Sequence, residues 1–345
     1  MNLKKIVQNC LSKIPYGYSF LYYLIYLFSY VHYFRTSKTD LVFVVAGKGW
    51  ILERICKEID ACFEGSSVLH YSIDHIPKAK AYFFSVYRQF MAAAIKNPHI
   101  FQGDIYVYYT HYTEGYFSTD ELGRILNLTK RIFVMNSKDK SFLMSIGVGE
   151  EKIILAMAGV DDTVFTIDSS SGATKKTVGF CVKYEDWPDY FERKNFGMVI
   201  DLIKELGDYR VILLGNKWKN FKRFQEIEAL EYFEYVETEY AHYQTYFNQM
   251  DVFVSVSKLE GGPVPLLEAM FCGTFPVVSD TGFAGDVITN DKNGFIFDVD
   301  SETNDIKNLI DNAFEKRSRI EIRNTVSHLT WKNFGQKIVA AIEIV

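Results

Sequence analysis

Short runs of β-branched and aromatic residues alternate with longer stretches of helical periodicity from about residue 41 onward. In the first half the predicted strands are LVFVVAG (41–47), SVLHYS, DIYVYYTH, RIFVM and KIILAM, whereas residues 81–97 are predicted to form one helix. Strands that alternate with helices of about ten or more residues indicate a parallel sheet with crossover helices.

The same alternation restarts after residues 163–176, whose serines and glycine indicate a flexible connector. The predicted strands are TVGFCV, RVILLG, YFEYV, DVFVSVS, TFPVVSD and GFIFDV, with helices from about Asn195 and near Pro263. Three helical segments close the chain. The prediction is two doubly wound α/β domains, with the ligand between them at the carboxyl ends of the strands.

The first forty residues have a different character. The stretch YGYSFLYYLIYLFSYVHYF (16–34) is apolar and tyrosine-rich, and basic residues flank it, so that residues 1–40 carry a charge of about +4. Tyrosines throughout the stretch and basic flanks favour a helix lying at an anionic membrane surface over one that spans the bilayer. A helix packed on the protein itself or on a second subunit is the alternative.

Composition narrows the function classes. A chain of 345 residues with 48% hydrophobic and 23% charged residues is a folded protein, and its length favours two domains. The net charge of −5 argues against a nucleic-acid partner. The five cysteines are scattered without a CxxC pair, which indicates neither a disulfide framework nor a zinc site.

The stretch EGGPVPLLEAMFCG (260–273) carries the clearest candidate chemistry. Glu260 follows a predicted strand, where it can accept hydrogen bonds from sugar hydroxyls, and Glu268 lies about one turn into a helix, where it can clamp two adjacent ribose hydroxyls. Glycines let the backbone approach a ligand, and a helix start attracts phosphate. The residues predicted to bind there are Gly261, Gly262, Pro263 and Val264.

This stretch and the train that follows it, TFPVVSDTGFAGDVITNDKNGFIF, resemble the E-x7-E signature of the family 4 glycosyltransferases, with Glu260 and Glu268 as the two glutamates. Residues 133–165 and the last helix are also similar to family segments. The resemblance implies the GT-B architecture, with two Rossmann-like domains and the active site in the cleft between them. It further implies a nucleotide-diphosphate sugar as co-substrate, retention of configuration, and neither a metal nor a cofactor.

The family also brings an arginine and a lysine to the diphosphate, from a pattern similar to GR…KG. This chain departs from it, because Val182 and Lys183 stand where Gly-Arg is expected and an aromatic insertion precedes Arg193 and Lys194. The resemblance implies Lys183 and Lys194 as the cations that stabilise the leaving group, with Arg193 as a substitute. A solvated surface position is the alternative for Lys183 and Arg193.

The first domain contributes fewer candidates. Gly47 and Gly49 in AGKGW follow the first strand as a loop that would approach the diphosphate, although a tight turn explains them nearly as well. His111 follows a strand, and the resemblance implies contact with the donor sugar; a structural histidine is the alternative. The DVD string at 298–300 lies away from the predicted phosphate site, so we expect no metal.

Together these observations predict a packing or membrane-surface helix (1–40), an acceptor domain (41–165), a nucleotide-sugar donor domain (166–330) and a helix crossing back to the first domain (331–345). The expected function is hexosyl or deoxyhexosyl transfer to a lipid-linked or other glycan acceptor in surface polysaccharide biosynthesis. The expected location is cytoplasmic, at the inner face of the cell membrane. The alternatives are a catalytically silent scaffold or partner subunit, and an epimerase or phosphorylase of the same architecture.

Overall fold

The computed structural model describes residues 38–112, 115, 117–168, 175–316 and 318–344. The helix predicted for residues 1–40 thus lies outside the described residues, apart from its last few positions. The chain divides into two compact units. The first comprises Met1–Met157 and Lys332–Val345, and the second comprises Ala158–Trp331.

The first unit contains a six-stranded sheet in the order β2-β1-β3-β4-β5-β6, in which every pairing is parallel. Its strands are β1 (Leu41–Val44), β2 (Ser67–His70), β3 (Ala81–Phe84), β4 (Asp104–Tyr109), β5 (Arg131–Val134) and β6 (Ile153–Leu155). The helices between them are α1 (Ile51–Asp60), α2 (Tyr87–Lys96), α3 (Thr119–Leu126) and α4 (Ser137–Ser145).

The prediction of one helix over residues 81–97 is wrong in its first part. Residues 81–84 form β3, whose four side chains are all buried and which pairs in parallel with both β1 and β4. Only after Ser85, whose hydroxyl accepts the amide of Ala46 at 2.9 Å, does α2 begin. A short, continuous apolar run fits a buried helix as well as a central strand, so periodicity alone does not separate the two.

The second unit repeats the arrangement with the order β12-β11-β10-β7-β8-β9, again with parallel pairings throughout. Its strands are β7 (Thr177–Cys181), β8 (Arg210–Leu214), β9 (Phe233–Val236), β10 (Val252–Ser255), β11 (Phe275–Ser279) and β12 (Phe295–Phe297). Its helices are α5 (Pro188–Lys194), α6 (Phe196–Glu205), α7 (Tyr243–Phe247), α8 (Val264–Phe271), α9 (Ala284–Val287), α10 (Thr303–Ala313) and α11 (Arg319–Val326). The predicted α/β class with parallel sheets is confirmed.

The last helix, α12 (Trp331–Ala341), packs within the first unit. Phe334 meets Tyr108 edge to face, with 6.1 Å between ring centroids, and the Tyr106 hydroxyl donates to the carbonyl of Glu343 at 3.1 Å. Gly335 lies so close to α1 that an added Cβ would be 2.5 Å from the carbonyl oxygen of Glu58. The chain's end therefore helps to build the core of its first half.

Phenylalanine and tyrosine rings fill these interiors. In the first sheet Phe83 lies between Phe43 and Phe133, with centroids 5.7 and 5.8 Å away. Part of the large aromatic content is thus accounted for by the cores. None of the helices in the described ranges has the length and apolar character that crossing a bilayer requires.

Candidate functional site

The loop between β10 and α8 holds Glu260 at the carboxyl edge of the second sheet. β10 pairs with β7 on one side and β11 on the other, so this loop leaves from the middle of the sheet. α8 begins at Val264 with Pro263 as its N-cap and Pro265 in the first turn, close to the start predicted from the sequence. A proline in the first turn of a helix loses no intrahelical hydrogen bond.

A nearly buried ion pair joins Glu260 to Lys194. The ammonium of Lys194, the last residue of α5, contacts the Glu260 carboxylate, and their side chains are only 17% and 9% exposed. Burial favours the neutral acid, but the charge and hydrogen bond of Lys194, with help from Arg193 and Ser257, hold the pKa of Glu260 below its usual value. Glu260 is therefore ionised at neutral pH.

Two backbone features fix Lys194 in place. The residue after it, Asn195, has a φ of 53°, the left-handed conformation that separates α5 from α6. The amide of Lys258, in the Glu260 loop, donates to the carbonyl of Arg193 at 2.7 Å. The guanidinium of Arg193 lies 5.1 Å from the ring centroid of Tyr190, so its charge rests on an aromatic face.

Glu268 lies one turn into α8 and is 2% exposed, among fully buried aliphatic neighbours such as Leu267 and Met270. Its carboxylate accepts a hydrogen bond from the hydroxyl of Tyr240. A buried carboxylate requires such donors, because desolvation without them is costly. Glu268 is thus a buried acceptor held at the carboxyl edge of the sheet.

Gly282, in the loop after β11, allows close packing against the loop that precedes α8. Gly282 has a φ of 54°, and a Cβ there would lie 2.9 Å from the carbonyl oxygen of Gly261. The amide of Val264 donates to the carbonyl of Gly262 at 2.9 Å, and that of Leu266 donates to Pro263 at 2.9 Å. A phosphate bound at this helix start would have to compete with the loop's own carbonyl groups for these two amides.

Lys183, which follows β7, contacts a carboxylate. Its ammonium lies 2.5 Å from the carboxylate of Glu185, which is 8% exposed. The same carboxylate accepts hydrogen bonds from the ammonium of Lys217 at 3.0 and 3.1 Å. The hydrogen bond from Lys183, and to a smaller extent that from Lys217, lowers the pKa of Glu185. Lys217 follows β8, the strand next to β7, and has a left-handed φ of 70°. Two lysines are therefore gathered at the ends of two neighbouring strands.

The candidates in the first unit lie at the carboxyl ends of β1 and β4. Gly49 has a φ of 76°, and a Cβ added at Gly47 or Gly49 would meet nothing within 4 Å. The Gly49 amide donates to Glu53 at 2.6 Å, a bond that contributes most to lowering the pKa of Glu53 to about 2. The Gly49 loop is thus held against α1, the helix that follows it, by this hydrogen bond. His111 is half-buried, just past the end of β4.

Sequence reasoning did not identify Asp139 in the first unit. Burial raises the pKa of Asp139 to about 7, against a hydrogen bond from Asn136, the N-cap of α4, that lowers it. The buried hydroxyl of Tyr109 has no hydrogen-bond partner among the described residues. An asparagine three residues before an aspartate signals a helix start, but nothing in the sequence signals that this half-buried carboxyl is desolvated.

Tyr240, Glu185 and Lys217 were also not identified. Tyr240 is 28 residues from Glu268, and Glu185 is 32 residues from Lys217, so each contact depends on strand order rather than on local spacing. Within the described ranges, no three His, Cys, Asp or Glu side chains converge as a metal site would need. In the DVD string, Asp298 accepts the amide of Asp300 at 2.9 Å.

Comparison with known proteins gives a family match and a fold. Residues 188–327 match the family model described as glycosyl transferases group 1. No curated protein matches the sequence. Among solved structures, the chain is similar to HepE of Anabaena in complex with UDP, with a TM-score of 0.70 and 13% identity over 88% of this chain and 98% of that one.

Two further structures have the same architecture. Sucrose-phosphate synthase from Thermosynechococcus elongatus matches with a TM-score of 0.69 and 12% identity, over 88% of this chain and 97% of that one. The lipopolysaccharide outer core galactosyltransferase WaaB matches with a TM-score of 0.65 and 14% identity, over 88% and 99%. At these identities the likeness concerns the fold.

Proposed function

We propose that this chain, whose residues 188–327 match the group 1 glycosyl transferases and which has the GT-B fold, transfers a hexosyl or deoxyhexosyl group from a nucleotide-diphosphate sugar, with retention and without a metal ion. The observation that carries the proposal is the pair of buried glutamates eight residues apart. Glu260 is ionised against Lys194, and Glu268 is held as an acceptor in α8.

Each glutamate has a role that suits its surroundings. The ionised carboxylate of Glu260 accepts hydrogen bonds from donor-sugar hydroxyls, while Lys194 offsets its charge. Glu268 accepts hydrogen bonds from the ribose hydroxyls. These hydroxyls bind in addition to, or in place of, the protein groups that now donate to Glu268, such as the hydroxyl of Tyr240. The glycines at 261 and 262, with Pro263 and Val264, line the path of the donor between these two contacts.

The transfer itself requires stabilisation of the departing diphosphate. The bond between the anomeric carbon and the diphosphate oxygen breaks, and the acceptor oxygen bonds to the anomeric carbon on the same face. The acceptor's proton passes to the departing phosphate. Lys194 and Lys183, with Arg193, supply positive charge to that leaving group. A diphosphate would have to draw Lys183 away from Glu185, with which it now pairs.

The first unit is proposed to bind the acceptor. The loop with Gly47 and Gly49, where an added Cβ would meet nothing within 4 Å, is proposed to approach the donor diphosphate, and His111 lies at the same sheet edge, where it would contact the donor sugar. The acceptor is proposed to be a lipid-linked glycan in surface polysaccharide biosynthesis. The basic, aromatic residues 1–40 would hold the enzyme at the inner face of the membrane.

Uridine diphosphate sugars are the first donors to test. Structures of HepE have been solved with UDP, with UDP and glucose, and with UDP-glucose, and HepE shares the fold of this chain. A name that refers to lipopolysaccharide, as for WaaB, likewise supports a surface-glycan acceptor.

The proposal is tested by a melting-temperature screen with UDP, GDP, dTDP, CMP and ADP. A nucleotide at about a hundred times its dissociation constant adds about 2.7 kcal/mol, which corresponds to several degrees at roughly 2–4 °C per kcal/mol. We expect one nucleotide to shift the wild type and the control Glu231→Ala, an exposed glutamate of the same unit, but not Glu268→Ala. No shift with any nucleotide would favour a silent scaffold instead.

A further inference from the structure

Tyr240 is a large aromatic residue at the carboxyl edge of the second sheet that stays unusually exposed. It opens the short helical turn Tyr240–His242, which follows β9, and 44% of its surface is accessible. Exposed aromatic rings are common at binding sites, because one face can pack on a ligand while the other is held by the protein.

The ring of Tyr240 is held on its inner side. Its centroid lies 5.7 Å from that of Phe165, which is fully buried, and 5.4 Å from that of Tyr243. Phe165 in turn packs against Phe247, with 6.0 Å between centroids. These contacts fix the plane of the Tyr240 ring before any ligand arrives.

The hydroxyl of Tyr240 donates to the carboxylate of Glu268, so the ring lies one hydrogen bond from the proposed ribose position. In a nucleotide the base is attached to the carbon next to the one that bears the 2′-hydroxyl. A ribose whose hydroxyls bind Glu268 therefore places its base within reach of the same ring.

We propose that Tyr240 is the platform for the nucleobase: its exposed face stacks on the base, while its hydroxyl positions the Glu268 carboxylate for the ribose. This rests on the proposed function and adds to it a residue for base recognition. Base–aromatic stacking tolerates different bases, because every base has a π face. Tyr240 would thus contribute affinity for the base, and other groups would select which base binds.

The experiment separates the ring from the hydroxyl. Dissociation constants would be measured by calorimetry for UDP and for ribose 5-diphosphate, which is UDP without its base. The variants are Tyr240→Phe, which keeps the ring, and Tyr240→Leu, which removes it. The control is Tyr246→Leu, which removes an aromatic side chain from the neighbouring helix α7. Circular dichroism would verify that each variant is folded.

We expect Tyr240→Phe to weaken both ligands by a similar, modest factor, since both contain the ribose. Relative to Tyr240→Phe, Tyr240→Leu should weaken UDP by a further tenfold or so and leave ribose 5-diphosphate unchanged. If Tyr240→Leu weakened the binding of UDP and of ribose 5-diphosphate equally, or did not weaken the binding of UDP at all, the proposal that Tyr240 stacks on the base would be wrong. If the wild type binds neither of these ligands and also none of GDP, dTDP, CMP and ADP, the proposed function itself fails, and the stacking role of Tyr240 fails with it.

Discussion

At the scale of single residues, the pair formed by Lys194 and Glu260 is the central feature. The two side chains lie in different elements, α5 and the loop before α8, and both are nearly buried. Truncating one member of such a pair leaves an uncompensated buried charge, which costs more than the pair contributes when intact. In the proposed function the ionised form of the same carboxylate binds sugar hydroxyls, so the stability and the proposed activity depend on one contact.

Lys194→Gln should lower the free energy of unfolding by about 3 kcal/mol at pH 7. Lys194 holds the pKa of Glu260 below its usual value, so in the wild type this group adds stability at neutral pH and loses it as pH falls through the folded pKa. In the variant the effect of burial, which raises that pKa, is opposed only by the smaller effects of Arg193 and Ser257, so stability should recover on mild acidification. Urea unfolding of both proteins between pH 5 and 8 measures this; an equal deficit at every pH would refute it.

The residue scale is also where prediction from sequence stopped. The two glutamates could be identified because their spacing on one loop and helix is local. Tyr240 could not, because its contact with Glu268 arises only when β9 and β10 take their places in the sheet. The same holds for Glu185, which joins Lys183 to Lys217 across the neighbouring strands β7 and β8.

At the scale of elements, the boundary between α5 and α6 determines where Lys194 lies. The aromatic insertion that obscured the sequence pattern forms α5, and the left-handed Asn195 ends it. Asparagine tolerates this conformation better than other side chains with a Cβ, and glycine tolerates it best. The helix predicted from about Asn195 is confirmed as α6, whereas α5 was not expected.

Asn195→Ala should lower the free energy of unfolding by about 1 kcal/mol, because alanine enters the left-handed region at a cost that glycine does not have. Asn195→Gly should be neutral or slightly stabilising. Asn220→Ala, at an exposed asparagine without a positive φ, serves as the control in the same urea titrations. If Asn195→Ala and Asn220→Ala behaved alike, the conformation of Asn195 would not be a constraint on this boundary.

The strands differ in how well their own sequence predicts them. Strands such as β7 and β10 were predicted because turn residues bound short β-branched runs. β3 was missed, because AYFF runs into a helical pattern with only Ser85 and Val86 between. Pairing on both sides, with β1 and β4, stabilises it as a strand. Its neighbours in the sheet determine its conformation, and they are distant in sequence.

At the scale of the whole molecule, the two units repeat one architecture, and the chain's last helix returns to the first unit. α12 contributes Phe334 and Gly335 to contacts with β4 and α1. The parallel order of each sheet places every strand's carboxyl end at one edge, and the candidate residues of each unit follow those ends. This organisation follows from the alternation of strands and helices that the sequence displays.

Gly335→Ala should destabilise the first unit by about 1–3 kcal/mol, since its Cβ would lie 2.5 Å from the Glu58 carbonyl oxygen. Hydrogen exchange followed by mass spectrometry should show faster exchange in α1 and β4 and little change in the second unit. Lys337→Ala, on the exposed face of the same helix, is the matched control. Unchanged exchange in the first unit would mean that the contact between α12 and α1 is not tight.

The most direct test of the account is release of nucleotide diphosphate from a panel of nucleotide-diphosphate hexoses and deoxyhexoses, measured without acceptor, for the wild type, Lys194→Gln and Glu260→Gln. We predict that the wild type slowly hydrolyses at least one donor and that each variant is about a hundredfold slower. If the wild type binds a nucleotide but releases none from any donor, the fold serves as a scaffold, and the proposal that Glu260 binds the donor sugar and Lys194 stabilises the leaving diphosphate is wrong.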